Sequence, residues 1–335
     1  MANIYRFGGN EDLIGYKYKN SGISGEFPVY AEGIAWDIET TTNNETYSLS
    51  YQGTGYLNWG DNITVELNNA GTFGAISHTF AIPGIYTIMF IGSITRVQAG
   101  TDDTQRAKVK TIHVLNTSTY TGAGKTSNNN GEFFNCINAI LNPNFTLGNN
   151  ITNLIGTFYN CSSITELPLI PSGFSGSMSN TFNGCSLATL PSGFTIPAGV
   201  TSLTGTFNGC SSITELPLIP SGFSGSMSNT FYGCSLATLP SGFTIPAGVT
   251  ALSSTFYNCS NIGDISSIWP AAFTKTNIDV SYMFYRPTVV ANKPYGTLPA
   301  ALLWGDTSGT WGNAINAFTN CTSLTNYSSI PSTWK

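Results

Sequence analysis

The sequence predicts an all-β chain: an N-terminal β-sandwich followed by a β-solenoid of about eight coils. Three observations carry this. Residues 161–201 recur as residues 210–250 with one change, Asn183 against Tyr232, which is a tandem duplication 49 residues long. Cys136, Cys161, Cys185, Cys210, Cys234 and Cys259 follow one another at intervals of 25, 24, 25, 24 and 25 residues. A fixed period of two dozen residues marks a solenoid, in which each repeat forms one coil and touches only its neighbours. Upstream, short apolar/polar alternations between Gly, Pro and Asn mark strands and turns.

Taken in order, residues 1–33 contain Gly, Tyr and Lys with little periodicity and are expected to form an extended arm. Residues 34–115 read as strands. Tyr47, Leu49 and Tyr51 alternate with polar residues, as do Ile63, Val65 and Leu67. The run Ile85 to Ile91, between Gly84 and Gly92, reads as a buried strand, and Val109 to Leu115 as one more. Residues 116–131, NTSTYTGAGKTSNNNG, form a linker by composition. The solenoid occupies residues 132–335 and ends in an irregular cap, because the cysteine spacing loosens between Cys259 and Cys321. Trp304, Trp311 and Trp334 fall there, and read either as parts of that cap or as a partner-contacting tip.

Within the strand region, Trp59-Gly60-Asp61, then His78-Thr79-Phe80, then Pro83-Gly84-Ile85-Tyr86 resemble the WGDG…HTY…PGTYTV pattern of PKD-like immunoglobulin-fold domains. The pattern departs at Asn62, where that family has Gly. The resemblance implies an Ig-like sandwich with tight turns at Gly60-Asp61-Asn62 and Pro83-Gly84. Asp61 and His78 are read as a turn aspartate and a structural histidine rather than an acid/base pair.

In the repeats the residue three before cysteine is always Phe: Phe133, Phe158, Phe182, Phe207, Phe231, Phe256 and Phe318, with Phe284 marking a coil whose cysteine place is taken by Pro287. Leu167-Pro168, Leu190-Pro191, Leu216-Pro217 and Leu239-Pro240 follow downstream. This T-F-x-[NG]-C-S-x-[LI]-x-x-L-P unit resembles the BspA-like leucine-rich repeats. The expected core ladder is Phe133, Phe158, Phe182, Phe207, Phe231 and Phe256 with Cys136, Cys161, Cys185, Cys210, Cys234 and Cys259, the thiols free and buried as small hydrophobes. Asn160, Gly184, Gly209, Gly233, Asn258 and Asn320 precede cysteines, and these types tolerate the positive φ of a sharp turn.

Charge narrows the function. Only 9% of the residues are charged, against about 25% in an ordinary domain. Between Lys125 and Lys275 there is no Lys or Arg, and only Glu132, Glu166, Glu215 and Asp264 carry charge. Binding to nucleic acid through phosphates needs clustered Lys and Arg, so no nucleic-acid partner is expected, and no anionic-lipid one. No apolar run reaches the roughly 18 residues of a membrane span, and no membrane insertion is expected. The N-terminus MANIYRFGGN lacks an apolar leader core, so synthesis in the cytosol without a leader is expected. The repeats contain no histidine, no P-loop, GxGxxG or HExxH motif occurs, and no enzyme activity, metal or cofactor is expected.

One column varies where its neighbours do not. Two residues before each cysteine stand Phe134, Tyr159, Asn183, Asn208, Tyr232, Tyr257 and Thr319 and, in the Pro287 coil, Tyr285. Of these, Tyr159, Asn183, Asn208, Tyr232, Tyr257 and Tyr285 are the candidate ligand-binding residues. Rigid Tyr and Asn side chains suit glycan or protein recognition. A tyrosine stack shielding the turn is the other reading. The expected function is a bacteriophage virion appendage, such as a tail fibre, receptor-binding or capsid-bound fibre protein. It would form a homo-oligomer, docking to other virion proteins by its arm and sandwich and presenting the solenoid to a host-surface glycan or protein. PKD-like domains joined to BspA-like repeats also resemble bacterial cell-surface adhesins, the alternative.

Overall fold

The computed structural model describes residues 3–5, 15–17, 33–116, 120, 131–270, 275–299 and 311–335. Most of the expected arm, most of the linker and Trp304 lie outside them. Strands β1 (Asn3–Tyr5) and β2 (Gly15–Lys17) form an antiparallel pair. Then come β3 (Gly33–Thr40), β4 (Glu45–Asn58), β5 (Thr64–Phe80), β6 (Gly84–Gln98), the single-turn helix α1 (Asp103–Arg106), β7 (Val109–Asn116) and β8 (Ile140–Leu141).

The chain is mainly β, as expected, but β3 to β8 form one continuous sheet in the order β5-β4-β6-β3-β7-β8. Two separate sheets of a sandwich were expected. The reason lies in β6, which changes partner along its length: Gly84–Phe90 pair with β3 and Met89–Gln98 with β4. Glycine permits the close approach of β4 and β6. Gly55 has φ 142, and a Cβ there would meet the Ile91 carbonyl oxygen at 2.1 Å. The run from Ile85 to Ile91 is not wholly buried either: Ile88 and Phe90 point inward while Ile85 is 60% exposed. Nor does Gly92 end the strand, which continues to Gln98.

The sheet's core holds Trp36, whose indole N–H donates to the Tyr47 hydroxyl (3.1 Å), and that hydroxyl donates to the Ala99 carbonyl. This core runs without interruption into the solenoid. β7 pairs in parallel with β8 of the first coil, and Leu115 bridges Leu147. Trp36 meets Phe133 edge-on at 5.7 Å. Tyr120, inside the expected linker, is fully buried and donates to the Glu132 carboxylate. The sheet thus covers the solenoid's first edge, which an open end would otherwise leave unpaired.

Eight buried phenylalanines stack through the solenoid from Phe133 to Phe318, with successive ring centroids 5.0–5.9 Å apart. The expected ladder of strands is not what joins the coils. Beyond β8 the described repeats contain only β9 (Ile278–Asp279) and β10 (Trp311–Asn313), paired in parallel, and single-residue bridges. Two left-handed residues per coil explain this. One is the expected position before cysteine, at φ 55–79 in Asn160, Gly184, Gly209, Gly233, Asn258 and Asn320. The other lies two residues before Phe, in Gly156, Asn180, Gly205, Asn229, Ser254, Tyr282 and Asn316. With the backbone bent on both sides of each Phe, no extended run survives for more than a residue or two.

The bridges fall in two columns. Asn153–Ser177, Ser177–Ser202 and Ser226–Ala251 lie in one column, and between Ser202 and Ser226 the coils are joined by the Leu203 amide, which donates to the Ser226 carbonyl (3.0 Å). On the Leu-Pro side the bridges Glu166–Thr189, Glu215–Thr238 and Asp264–Tyr295 link alternate coils, until Gly296–Leu324 bridges the next interface as well near the C-terminal end. At the far end the tail folds back through single 3-10 turns at Tyr327–Ser329 and Ser332–Trp334. There the amides of Asn316 and Phe318 donate to the carbonyls of Thr333 and Trp334 (2.9 and 2.7 Å). Trp311 and Trp334 are half-buried against the core.

Candidate ligand-binding column of the solenoid

The column rests on a scaffold of repeated side-chain bonds. The thiols of Cys161, Cys185, Cys210, Cys234 and Cys259 each donate to the carbonyl of the phenylalanine one coil earlier, at 2.9–3.2 Å. They are therefore donors as well as small apolar groups, and all seven cysteines are buried and free. Burial pushes the thiols of Cys185, Cys259 and Cys321 up to about 12, and raises those of Cys136, Cys161, Cys210 and Cys234 as well. Such thiols stay protonated and unreactive at neutral pH.

A second ladder escaped the sequence reading. Thr157, Thr181, Thr206, Thr230 and Thr255, each just before its Phe, are completely buried. The hydroxyl of Thr206 lies 2.8 Å from the Leu203 carbonyl in its own coil and 2.9 Å from the Met178 carbonyl in the previous one. Thr181, Thr230 and Thr255 repeat the arrangement. The Thr before Phe in the five coils from Thr157 to Thr255 was the available signal; its shared acceptors are not visible in a sequence.

The varying column is half-buried throughout rather than fully outward. Tyr232 and Tyr257 stack with ring centroids 4.3 Å apart and planes 5° from parallel. Tyr285 continues the stack at 4.9 Å from Tyr257, and Tyr282 meets Tyr285 edge-on at 5.6 Å. Tyr159 stacks on Phe134 at 5.2 Å. Between these groups the Asn183 amide donates to Asn180 Oδ1 (2.9 Å), and Asn208 is half-buried beside it in the column. The structure therefore brings Tyr232, Tyr257 and Tyr285 together, and keeps Tyr159 apart with Phe134. Ring faces inside the stack cover one another, so the column offers ring edges and hydroxyls. Burial, then the neighbouring Tyr232 phenol, raises the Tyr257 hydroxyl above its ordinary value.

Elsewhere, Asp61 and His78 do meet, at 2.6 Å, with His78 stacked on Trp59 (5.1 Å) and edge-on to Phe80 (4.7 Å). Asp61 also accepts the Ile63 amide (3.1 Å), as a turn aspartate does. At the sheet–solenoid junction His113 lies 2.9 Å from Asp37 and 3.0 Å from the Asn142 amide. Among the described residues no group of three or more His, Cys, Asp or Glu could hold a metal ion. No described helix is long and apolar enough to cross a membrane.

A family model, the BspA type leucine rich repeat region, matches residues 179–284 in six copies. That span covers about a third of the chain and runs from the Asn183 coil to the Phe284 coil. It supports the repeat resemblance there and does not reach Trp59, His78 or Pro83. No curated protein and no solved structure matches the chain.

Proposed function

We propose that this chain is a non-enzymatic binding protein displayed at a surface, its solenoid engaging a glycan or protein on a host cell. The supporting observation is the unbroken Phe ladder beneath an exterior that carries no Lys or Arg between Lys125 and Lys275. A rigid surface of Ser, Thr, Asn and Tyr binds without salt-sensitive charge pairs and loses little side-chain entropy doing so. BspA-type repeats point to the same surface or interaction role. The order of arm, sheet and rod favours a bacteriophage virion protein, assembled in the host cytoplasm. It would dock by residues 1–33 and a PKD-like sheet to other virion proteins, as a homo-oligomer. A bacterial cell-surface adhesin accords equally with the repeats.

Two measurements test this. Mass spectrometry of purified particles and of cell envelopes from a culture expressing the gene separates the two locations. Binding of the purified chain to intact cells tests the shared claim, and a chain found in neither fraction and binding no cell refutes it.

A further inference from the structure

Where the Leu-Pro bridges skip an interface, the coils part. Two clefts of about 590 and 370 Å³ open there. The first is walled by Leu141 and Phe145 opposite Thr165, Glu166 and Leu167, and the second by Leu190 and Phe194 opposite Thr214, Glu215 and Leu216. These walls are 49-residue equivalents, so one site occurs twice. The third place in the series has Asp264 in the acidic position, but Ser266 occupies its carboxylate (2.6 Å), and Ser266 stands where the others have proline.

The hydrogen bonds show what faces each cleft. Thr189 uses both its N–H and its C=O on the far side, toward Leu167 and Thr165 (2.9 and 3.0 Å). A parallel ladder alternates direction residue by residue, so Leu190 turns its peptide groups into the second cleft. Glu215 does the same from the opposite wall, since Thr214 and Leu216 bond to Thr238. Neither Leu190 nor Glu215 has a backbone bond to another described residue. The second cleft therefore presents opposed peptide donors and acceptors, and both clefts present a threonine hydroxyl, a carboxylate in no ion pair among the described residues, and the side of a half-buried phenylalanine.

The geometry points to a pair of carbohydrate sites, each taking one ring of a neutral glycan. Peptide groups and the carboxylate would meet ring hydroxyls, while Phe194 or Phe145 and the Leu-Pro rim meet its C–H face. A polypeptide strand fits less well. In the second cleft Pro191 and Pro217 follow directly on Leu190 and Leu216 and lack an N–H. In the first Pro168 does the same after Leu167, while the Asn142 amide is already bonded to the Ile112 carbonyl (2.9 Å), so a strand could not extend its pairing along the walls. Cavities of this volume are of small-ligand size. Their repetition makes binding to a multivalent glycan cooperative through linkage.

This rests on the reading of the chain as a binding protein, and the experiment separates the two. The full chain is titrated against an array of immobilised neutral oligosaccharides, against a lysine-rich peptide and against intact cells, for the unaltered chain, Glu166→Gln, Glu215→Gln and the double variant. Both glutamates are exposed, so melting should not change. The expectation is binding to at least one oligosaccharide, weakened about tenfold by each single change and lost in the double variant. Cell binding without oligosaccharide binding overturns the clefts and leaves the broader function standing. Sugar binding that survives the double variant, or preference for the lysine-rich peptide, also overturns them.

Discussion

Removing one ring from the middle of the ladder is the sharpest perturbation of this architecture. Phe207 is fully buried, 5.9 Å from Phe182 and 5.7 Å from Phe231, with Phe194 edge-on at 6.0 Å. Truncating a buried phenylalanine to alanine costs about 3–5 kcal/mol. Three ring partners, each contributing about 0.5–1.5 kcal/mol beyond area, put Phe207→Ala at the upper end, about 4–5 kcal/mol. Phe318, the last rung, has Phe284 at 5.6 Å and only a tilted Trp269 at 6.5 Å, so Phe318→Ala should cost about 3 kcal/mol. Urea unfolding followed by circular dichroism reads both. Because coils touch only their neighbours, the mid-ladder change should also split the transition in two. A loss below about 1 kcal/mol for Phe207→Ala, or one no greater than that for Phe318→Ala, would refute a ladder stabilised by its stacked rings.

Other outcomes follow from the same structure. The ordinary thiol value is 9.0, and burial holds Cys185, Cys259 and Cys321 near 12. The folded chain therefore keeps protons that the unfolded chain releases, so stability is full below pH 9 and falls from there toward pH 12. Melting temperatures at pH 7, 9 and 10.5 check this, and a flat profile contradicts it. Deleting residues 162–210 should leave a folded rod two coils shorter, measurable by small-angle scattering, with any particle attachment intact; unfolding would show that the two blocks are not interchangeable. Tyr257→Phe keeps the stack and removes a hydroxyl. If the column only shields the turn, neither melting nor cell binding changes, whereas a severalfold weaker cell binding assigns it to ligand contact.

Much of this was legible because repetition multiplies weak signals. Phe and Cys recurring together identified the inward residues, and Asn or Gly before cysteine identified one left-handed position. The second left-handed position was less legible, because Ser254 and Tyr282 interrupt the Gly and Asn found at Gly156, Asn180, Gly205, Asn229 and Asn316. Tyrosine has no intrinsic ease in that conformation, so its residue type gave no signal at Tyr282. The single sheet was hidden for a different reason. Strand patterns show which residues face a core, but the partner change along β6 depends on register, and no local pattern encodes it. The clefts were invisible because half of their polar groups belong to the backbone, and because Glu166 and Glu215 gain a facing wall only where a bridge is skipped.

The two sides of the rod follow from one alternation. Coils of 24 and 25 residues keep every rung of Phe, Thr and Cys in register, since those columns lie on the side where each coil is bridged to the next. The length mismatch must then be absorbed opposite, and there, up to Asp264, the Leu-Pro bridges close at only every second interface. Where they close, peptide groups are satisfied; where they do not, the same groups face an opening beside Glu166 or Glu215, two of the few charges on the rod. The tyrosine column lies on the tightly packed register and has its ring faces occupied by neighbouring rings. Recognition through open hydrogen-bonding groups therefore belongs to the loosely bridged side, and the 49-residue duplication repeats its Thr-Glu-Leu-Pro wall without disturbing the ladder that keeps it rigid.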